Sequence, residues 1–440
     1  MNQKLQDIRE GYKEKLDVLE EAGGFGVLEN MVEGITELDP EVEGRREAFL
    51  ASEKHKEKRK KLLLELKALK EMLGKGNSSL EAAEYCQTQA EESKTELDEV
   101  LTSALAQTRD LETSYRQLEL FFKNSGEEEI PNLVLVNVPF DVIQKNTDVL
   151  SAVKKELKSK ADRFSLVDNY SLLVVPGYLE NHINEWAQAA HKYRTLLITD
   201  YKDVKNYKMG LRDAKKNMHS GSEPYLSNAV MTFNYGIVRS KEEGLEEEDL
   251  IVPMSAAVAG KMYEGIGVQP AAGYEHGHLF GVLGTRYPLL QSQTTEIENL
   301  GFVPIVQESG WNRTVAMSDS TLASKAEDPT LRAYGVVRSL DWIAKILADF
   351  FNRRAFRLGG KAEREEVKEK LIAFFESIKG HGNLIQNYEL EPPETDPKNP
   401  QRMLVNVKIM PFFATKNFII SISGPPGGNN WNAKVSSTDK

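Results

Sequence analysis

Only one cysteine, Cys86, occurs in the 440 residues. A lone thiol excludes an intrachain disulfide and any metal site built from several cysteines, and it fits a reducing compartment. No apolar run approaches the ~18 residues that a membrane-spanning helix needs. The opening stretch MNQKLQDIREGYKEKLD is charged throughout and has no apolar core of a signal peptide, so cytoplasmic placement is the expectation. Positive charge is also in deficit. With 56 Lys and Arg against 67 Asp and Glu, the net charge is −11. That balance argues against nonspecific binding to nucleic acid or to an anionic membrane, and against membrane insertion as a working mode.

Catalytic grammar is equally scarce. No phosphate loop of the form G-x-x-x-x-G-K-[ST] is present, and GGKAERE (359–365) lacks both the first glycine and the hydroxyl residue. GIGVQPAAG (265–273) follows no clear strand, has no third glycine at the right offset, and reads as a loop. There is no G-x-S-x-G elbow. In YEHGHLFG (274–281), His276 and His278 stand two apart, as a metal pair on a strand would, but Glu275 would point to the other face and no third ligand is near. An ordinary loop is the plainer reading. Cys86 has no local histidine and reads as a structural residue. No catalytic residue, metal site or cofactor is therefore assigned, and the chain is not read as an enzyme.

The composition that is present is globular, with 40% hydrophobic and 28% charged residues. Its length suggests two to four domains. Residues 1–124 are rich in Glu and Lys and contain one proline. Leu62, Leu66, Leu69 and Leu73 step by four, three and four. Leu97, Leu101, Ala104, Thr108, Leu111, Tyr115, Leu118 and Phe122 keep that alternation, which predicts a helix-packing seam. LGKGNSS (73–79) breaks the pattern, and Asn77 or Ser78 suits the cap of the second helix. The expectation is an antiparallel helical hairpin preceded by a shorter helix at 3–22, either a solvated appendage or a docking arm. The basic run KHKEKRKKLLLELK (54–67) alternates with glutamates and fits a solvated helix face.

After the linker SGEEEIPN (125–132) the pattern becomes α/β. NLVLVNV (132–138) predicts a strand covered on both faces. A helix at 141–161, a strand in YSLLVVPGY (170–178), a helix at 179–192 and a strand in RTLLITDY (194–201) follow. Alternating β and α elements predict a parallel sheet. Residues 222–240 fit helix or strand. EEGLEEEDL (242–250) reads as an acidic loop, and 252–265 as a helix whose Ala and Gly content suits the close approach of another backbone. Residues 265–290 read as loop, and strands are expected within 294–309 and at 314–318. Two amphipathic helices come next, striped by Val336, Leu340, Ile343, Leu347 and Phe350, then by Val367, Leu371, Phe374 and Ile378.

The chain then turns Pro-rich (388–403) and ends on RMLVNVKIMPFFATKNFIISISG (402–424). Val405, Val407 and Ile409 alternate with mostly polar partners, as do Phe418, Ile420 and Ile422. This predicts a terminal β-hairpin whose edges call for pairing, and it makes those six residues the candidate partner-binding strands. Arg353, Arg354, Arg357 and Lys361 form a basic patch between the two helices, either a helix end satisfied by cations or a contact for an acidic surface. The expected domains are a helical hairpin (1–124), a central α/β domain (130–330), a C-terminal assembly domain of two helices and a hairpin (331–424), and a mobile tail (425–440).

Several of these stretches together resemble a known family. ENLGFVPIV (298–306), EPYLSNAVMTF (223–233), the SLLVVPGY strand with its helix, and two amphipathic helices followed by strands are similar to the large subunit of the type VI secretion contractile sheath. The likeness covers roughly residues 130–424, rests on order and spacing, and is nearest to the divergent version of Bacteroidetes-type systems. It implies an α/β sheath fold and a structural role. The implied partners are a small sheath subunit, further copies in stacked hexameric rings, an inner tube, a baseplate and a Clp-type AAA+ recycling ATPase. Under it the 353–361 patch faces the inner tube, the hairpin strands interlace with neighbours, and the Pro-rich segment 392–400 is a flexible link. The charged helical start departs from the extended arm of that family, and the Gly-rich loop 265–290 matches no pattern in it. A competing reading, from the β-α-β-α-β run at 132–201, is a nucleotide-binding regulator with a helical arm. A metal hydrolase using His276 and His278 is a third.

Overall fold

The computed structural model describes residues 56–416, except 75–77, 127–129, 131, 146, 164–168, 218, 266, 309, 311–312 and 358–359. The expected helix at 3–22, the strand at 418–422 and the tail lie outside the described residues. The chain divides into two compact units, residues 1–106 and 107–440.

The first unit contains helix α1 (Lys56–Gly74) and most of α2 (Ser79–Asn124). The Ser78 hydroxyl accepts the Glu81 amide at 3.2 Å, so Ser78 caps α2 as its position suggested. The expected seam on α2 does not pack. Leu97, Leu101, Leu111, Tyr115 and Phe122 are all exposed. What α2 buries in the second unit is a different stripe, carried by Leu120 and Phe121. A heptad pattern gives the phase of an apolar stripe and not what covers it.

The second unit is built on a six-stranded sheet in the order β1-β2-β3-β8-β9-β6. These strands are β1 (Leu172–Val174), β2 (Leu196–Asp200), β3 (Ala229–Phe233), β6 (His278–Leu279), β8 (Val303–Glu308) and β9 (Arg313–Ala316). The first four in the sheet run parallel, and β9 and β6 are added antiparallel. The parallel part follows from strands that are apolar on both faces. Leu197, Met231 and Phe233 point into one core layer, with Trp186, Ala187 and Ala190 of helix α5 (Ile183–Lys192). Leu196, Ile198 and Val230 point into the other, with Ala257 and Val258 of helix α7 (Ser255–Glu264). The ambiguous 222–240 stretch resolves as a 3-10 turn (Pro224–Asn228), then β3 and β4 (Gly236–Arg239). Strand β4 sits between β5 (Leu250–Val252) and β7 (Gly284–Thr285) in a second sheet.

The predicted strand at 132–138 is not in the sheet. Those residues belong to no ladder, and they lead into helices α3 (Phe140–Lys145) and α4 (Thr147–Ala161). The β-α-β-α-β run behind the nucleotide-binding alternative therefore loses its first member.

Helix α7 is small-sided for the expected reason. A Cβ at Gly260 would stand 2.3 Å from the Phe121 carbonyl oxygen of α2. The two backbones meet there, and α2 is then locked by Asn124. Its side-chain amide donates to the Phe280 carbonyl at 3.0 Å, and its Oδ1 accepts the Phe280 amide at 2.8 Å. The acidic loop adds a second clasp. Glu246 takes Arg239 of β4 at 2.6 Å and Arg109 of α2 at 3.1 Å, while Arg239 also engages Glu112 of α2 at 3.0 Å. The Arg239 hydrogen bond, foremost, holds the Glu246 carboxyl down to about 2 from its ordinary 4.5.

Gly260→Ala should cost about 1–3 kcal/mol, because the obstacle is backbone and not a yielding side chain; the urea midpoint of the purified chain reads it. Glu246 should make the chain acid-sensitive. A carboxyl depressed on folding adds stability that is complete above about 4.5 and lost as the pH falls towards 2. At this partly open site the loss is about 1 kcal/mol, and Glu246→Gln should remove that slope from a pH series of unfolding midpoints.

Candidate assembly surfaces

The C-terminal part of the second unit starts with two helices, α10 (Tyr334–Arg354) and α11 (Lys361–Ile378). Their predicted stripes meet in a core of Ile343, Val367, Leu371, Phe375 and Ile385, with Leu347, Phe350, Phe374 and Ile378 packed around it. Phe375, and not its neighbour Phe374, is the fully buried ring, and it stacks on Tyr388 with centroids 4.9 Å apart.

A β-hairpin covers this core, formed with a strand that the sequence pattern does not predict. Strand β13 (Val407–Pro411) pairs antiparallel with β10 (Ile385–Leu390), and β12 (Met403–Leu404) pairs with β11 (Glu394–Thr395). The sequence pattern reads 388–403 as a Pro-rich lead-in and 392–400 as a link; the expected partner strand at 418–422 lies outside the described residues. The structure folds 385–395 back on 403–411. The proline- and asparagine-rich stretch is the tip, closed where the Asp396 amide donates to the Arg402 carbonyl at 2.8 Å and Arg402 pairs with the Asp396 carboxylate at 3.3 Å. The QNYEL strand was missed because its polar positions Gln386, Asn387 and Glu389 hide the apolar pair Tyr388 and Leu390.

The alternation of Val405, Val407 and Ile409 was read correctly as one face. All three pack on the helix core beside Tyr388 and Leu390. Their side chains are thus committed within the chain, and what stays available is backbone. The Glu391 amide donates to the Asn406 carbonyl at 3.1 Å. In an antiparallel ladder, hydrogen-bonded pairs alternate with pairs whose groups point outwards. Val407 and Ile409 are in the second class, so their N–H and C=O groups face away from β10. Among the described residues none pairs with that edge. Phe418, Ile420 and Ile422 lie outside the described residues.

The basic patch is satisfied from within. Arg354 bridges to Glu363 at 3.0 Å and to Glu366 at 2.6 Å, Arg357 reaches Glu366 at 3.4 Å, Arg353 pairs with Asp349 at 2.8 Å, and Lys361 lies 3.8 Å from Glu365. The Arg354 and Arg357 contacts tie the end of α10 to the start of α11. Between them Phe356 is fully exposed and held at a φ of 69°, a backbone region that only glycine enters freely.

The two histidines do not form a strand pair. His276 ends the short helix α8 (Gly273–His276), whereas His278 is in β6 against the Phe280 ring, centroids 4.4 Å apart. Burial, with Arg313 and Lys261 nearby, pushes the His278 pKa below its usual value. Among the described residues no three His, Cys, Asp or Glu side chains converge as metal ligands, and no helix is long and apolar enough to cross a membrane. Cys86 is half-buried on α2.

Three family models match in order along the chain: "TssC/VipB-like, N-terminal region" over residues 12–101, "Type VI secretion system TssC/VipB, central domain" over 103–324, and "TssC/VipB-like, C-terminal domain" over 333–437. Similar solved structures include the helical sheath of the anti-feeding prophage in its contracted state, at 14% identity over 71% of this chain and 82% of that one, TM-score 0.49. A chain of the 6-fold symmetrised baseplate of the same particle is similar at 15% identity over 71% and 81%, TM-score 0.48. A sheath tail protein of Desulfitobacterium hafniense is similar at 11% identity over 60% of each chain, TM-score 0.41. No curated protein matches the chain. With all three regions of one family following each other from residue 12 to residue 437, the chain belongs to the TssC/VipB family and is a large subunit of the type VI secretion contractile sheath.

Proposed function

We propose that this subunit works with a small sheath subunit to build stacked rings around an inner tube, and that the 385–411 hairpin is one of the joints between subunits. The observation that carries this reading is the outward edge of β13. An unpaired edge invites another chain. A strand added there satisfies the free groups of Val407 and Ile409 and makes a directional joint. Joints of this head-to-tail kind generate open helical assemblies. The side chains of Val405, Val407 and Ile409 serve such a joint indirectly, by seating the strand on α10 and α11.

In this reading the α10–α11 tip turns towards the inner tube. Arg353, Arg354, Arg357 and Lys361 already have carboxylate partners, so the tip meets its target through the exposed Phe356 ring with the cations as a rim. A baseplate and a Clp-type AAA+ ATPase complete the partners that a sheath of this family calls for. The work is mechanical, without a catalytic centre, and placement in the cytoplasm suits it.

Proline at position 407 or 409 removes an outward donor and leaves the inner rungs to β10 in place. Co-expressed with the small subunit, Val407→Pro and Ile409→Pro should still form the soluble pair but give no long tubes by negative-stain microscopy. Tubes of unchanged length would refute the joint.

A further inference from the structure

Arg338, in the second turn of α10, carries a charge with no counter-ion. Among the described residues it makes no ion pair, and its Nη1 is enclosed without a hydrogen-bond partner. The side chain as a whole is half-buried, so part of it still reaches solvent. Burial pushes its pKa below the ordinary arginine value, with Tyr334, one turn earlier, pulling the other way. A guanidinium keeps its proton inside a protein, so the charge stays. A sheltered ion without a counter-ion is costly, and an enclosed donor without an acceptor calls for a cause.

Acids on the adjoining segments are committed elsewhere. Asp341, three residues on along α10, accepts from Arg194 at 3.1 Å and from Asn228 at 2.7 Å. Asp319, whose carbonyl accepts the Tyr334 amide at 2.9 Å, has its carboxylate on Lys416 at 2.6 Å. The backbone beneath Arg338 is fixed as well. A Cβ on Gly335 would stand 2.7 Å from the Val268 carbonyl oxygen, and the Ser339 hydroxyl donates to the Gly335 carbonyl at 2.9 Å. A helix held this closely has little room to shift towards another acid, and a pre-positioned side chain loses little freedom on binding.

We propose that Arg338 is a docking point for a single Asp or Glu side chain of a second copy of this chain. One guanidinium neutralises one unit of charge and offers a planar fork, which fits a carboxylate better than the larger charge of a phosphate. A second copy suits as the donor. The chain has 67 Asp and Glu against 56 Lys and Arg, so copies packed together bring a surplus of acids. An unanswered base on one face, met by an acid from a different face of the next copy, is a heterologous contact, and such contacts repeat along an open helical stack. The patch at 353–361 differs, because its cations already have carboxylates within the chain. This inference rests on the reading above, in which copies of the chain stack in a sheath.

Two substitutions in the full chain test this. Arg338→Met keeps the length of the side chain and removes its charge. It should raise the thermal midpoint of the chain alone by about 2 °C or more, since an unpaired ion is gone. Co-expressed with the small subunit, it should give no long tubes by negative-stain microscopy. Arg338→Lys keeps the charge and supplies an amine that a carbodiimide joins to a touching carboxylate. In tubes it should give a crosslinked dimer of this chain, mapped by mass spectrometry to position 338, and none in the chain alone. The crosslink reads out even where Arg338→Met does not fold. A lower midpoint, a crosslink only to the small subunit, or no crosslink in tubes would each overturn the proposal. Tubes of unchanged length from Arg338→Met would overturn it and leave the sheath reading standing. An unaltered chain that never forms tubes with the small subunit would overturn the sheath reading, and this proposal with it.

Discussion

A single buried carboxylate holds the central domain together. Asp200, at the end of β2, is fully buried and accepts four hydrogen bonds: from the Gly177 amide at 2.9 Å, the Thr232 hydroxyl at 2.5 Å, and the Met254 and Ser255 amides at 2.8 Å each. Burial drives its pKa up, and the donors from Ser255, Thr232 and Gly177 pull against that. The geometry explains why an acid sits there. Two of the donors are amides at the start of α7, which have no partner within the helix and carry the positive end of its dipole. One side chain thus joins β2, β3, the turn after β1 and the start of α7. The position of α7 in turn sets where Gly260 meets α2, and so where Asn124 finds Phe280. The anchoring of the last turn of α2 traces back to this one group.

The sequence was most informative where one covering surface was implied. LLITD opens on three apolar residues and AVMTF is apolar at four of five positions, and they became central parallel strands. The stripes of α10 and α11 found each other because each had one apolar face. The small-residue helix at 252–265 was predicted to meet a backbone, and Gly260 does. Reading failed where cover comes from elsewhere. The 132–138 segment has the composition of an interior strand but, among the described residues, no strand beside it. The α2 seam has regular spacing but faces water. A periodicity argument assigns a face and is silent on what lies against it.

The candidate surfaces were half visible for the same reason. The alternation of Val405, Val407 and Ile409 identified a buried face. The strand that pairs with them, QNYEL, carries only Tyr388 and Leu390 as apolar signals among charged and amide residues. The patch at 353–361 looked like a cluster of free cations because the carboxylates that meet Arg354 and Arg357 belong to the next helix. Asp200 left a faint trace, an acid closing a strand that opens on three apolar residues, a place where a solvated charge would be hard to reach. Phe356 left none, since a positive φ at an aromatic residue has no signature in composition.

The hairpin over the C-terminal core contains a crease. Its ladder is interrupted at Pro392 and Pro393, where Leu390 faces Val407 on one side and Glu394 faces Leu404 on the other, so one strand carries an extra residue. Prolines give no rungs there, and the two short ladders are mechanically separate. Bending between the two ladders would therefore cost no backbone rung, only the Arg364–Thr395 hydrogen bond at 3.2 Å and the packing of Met403 on the helix core.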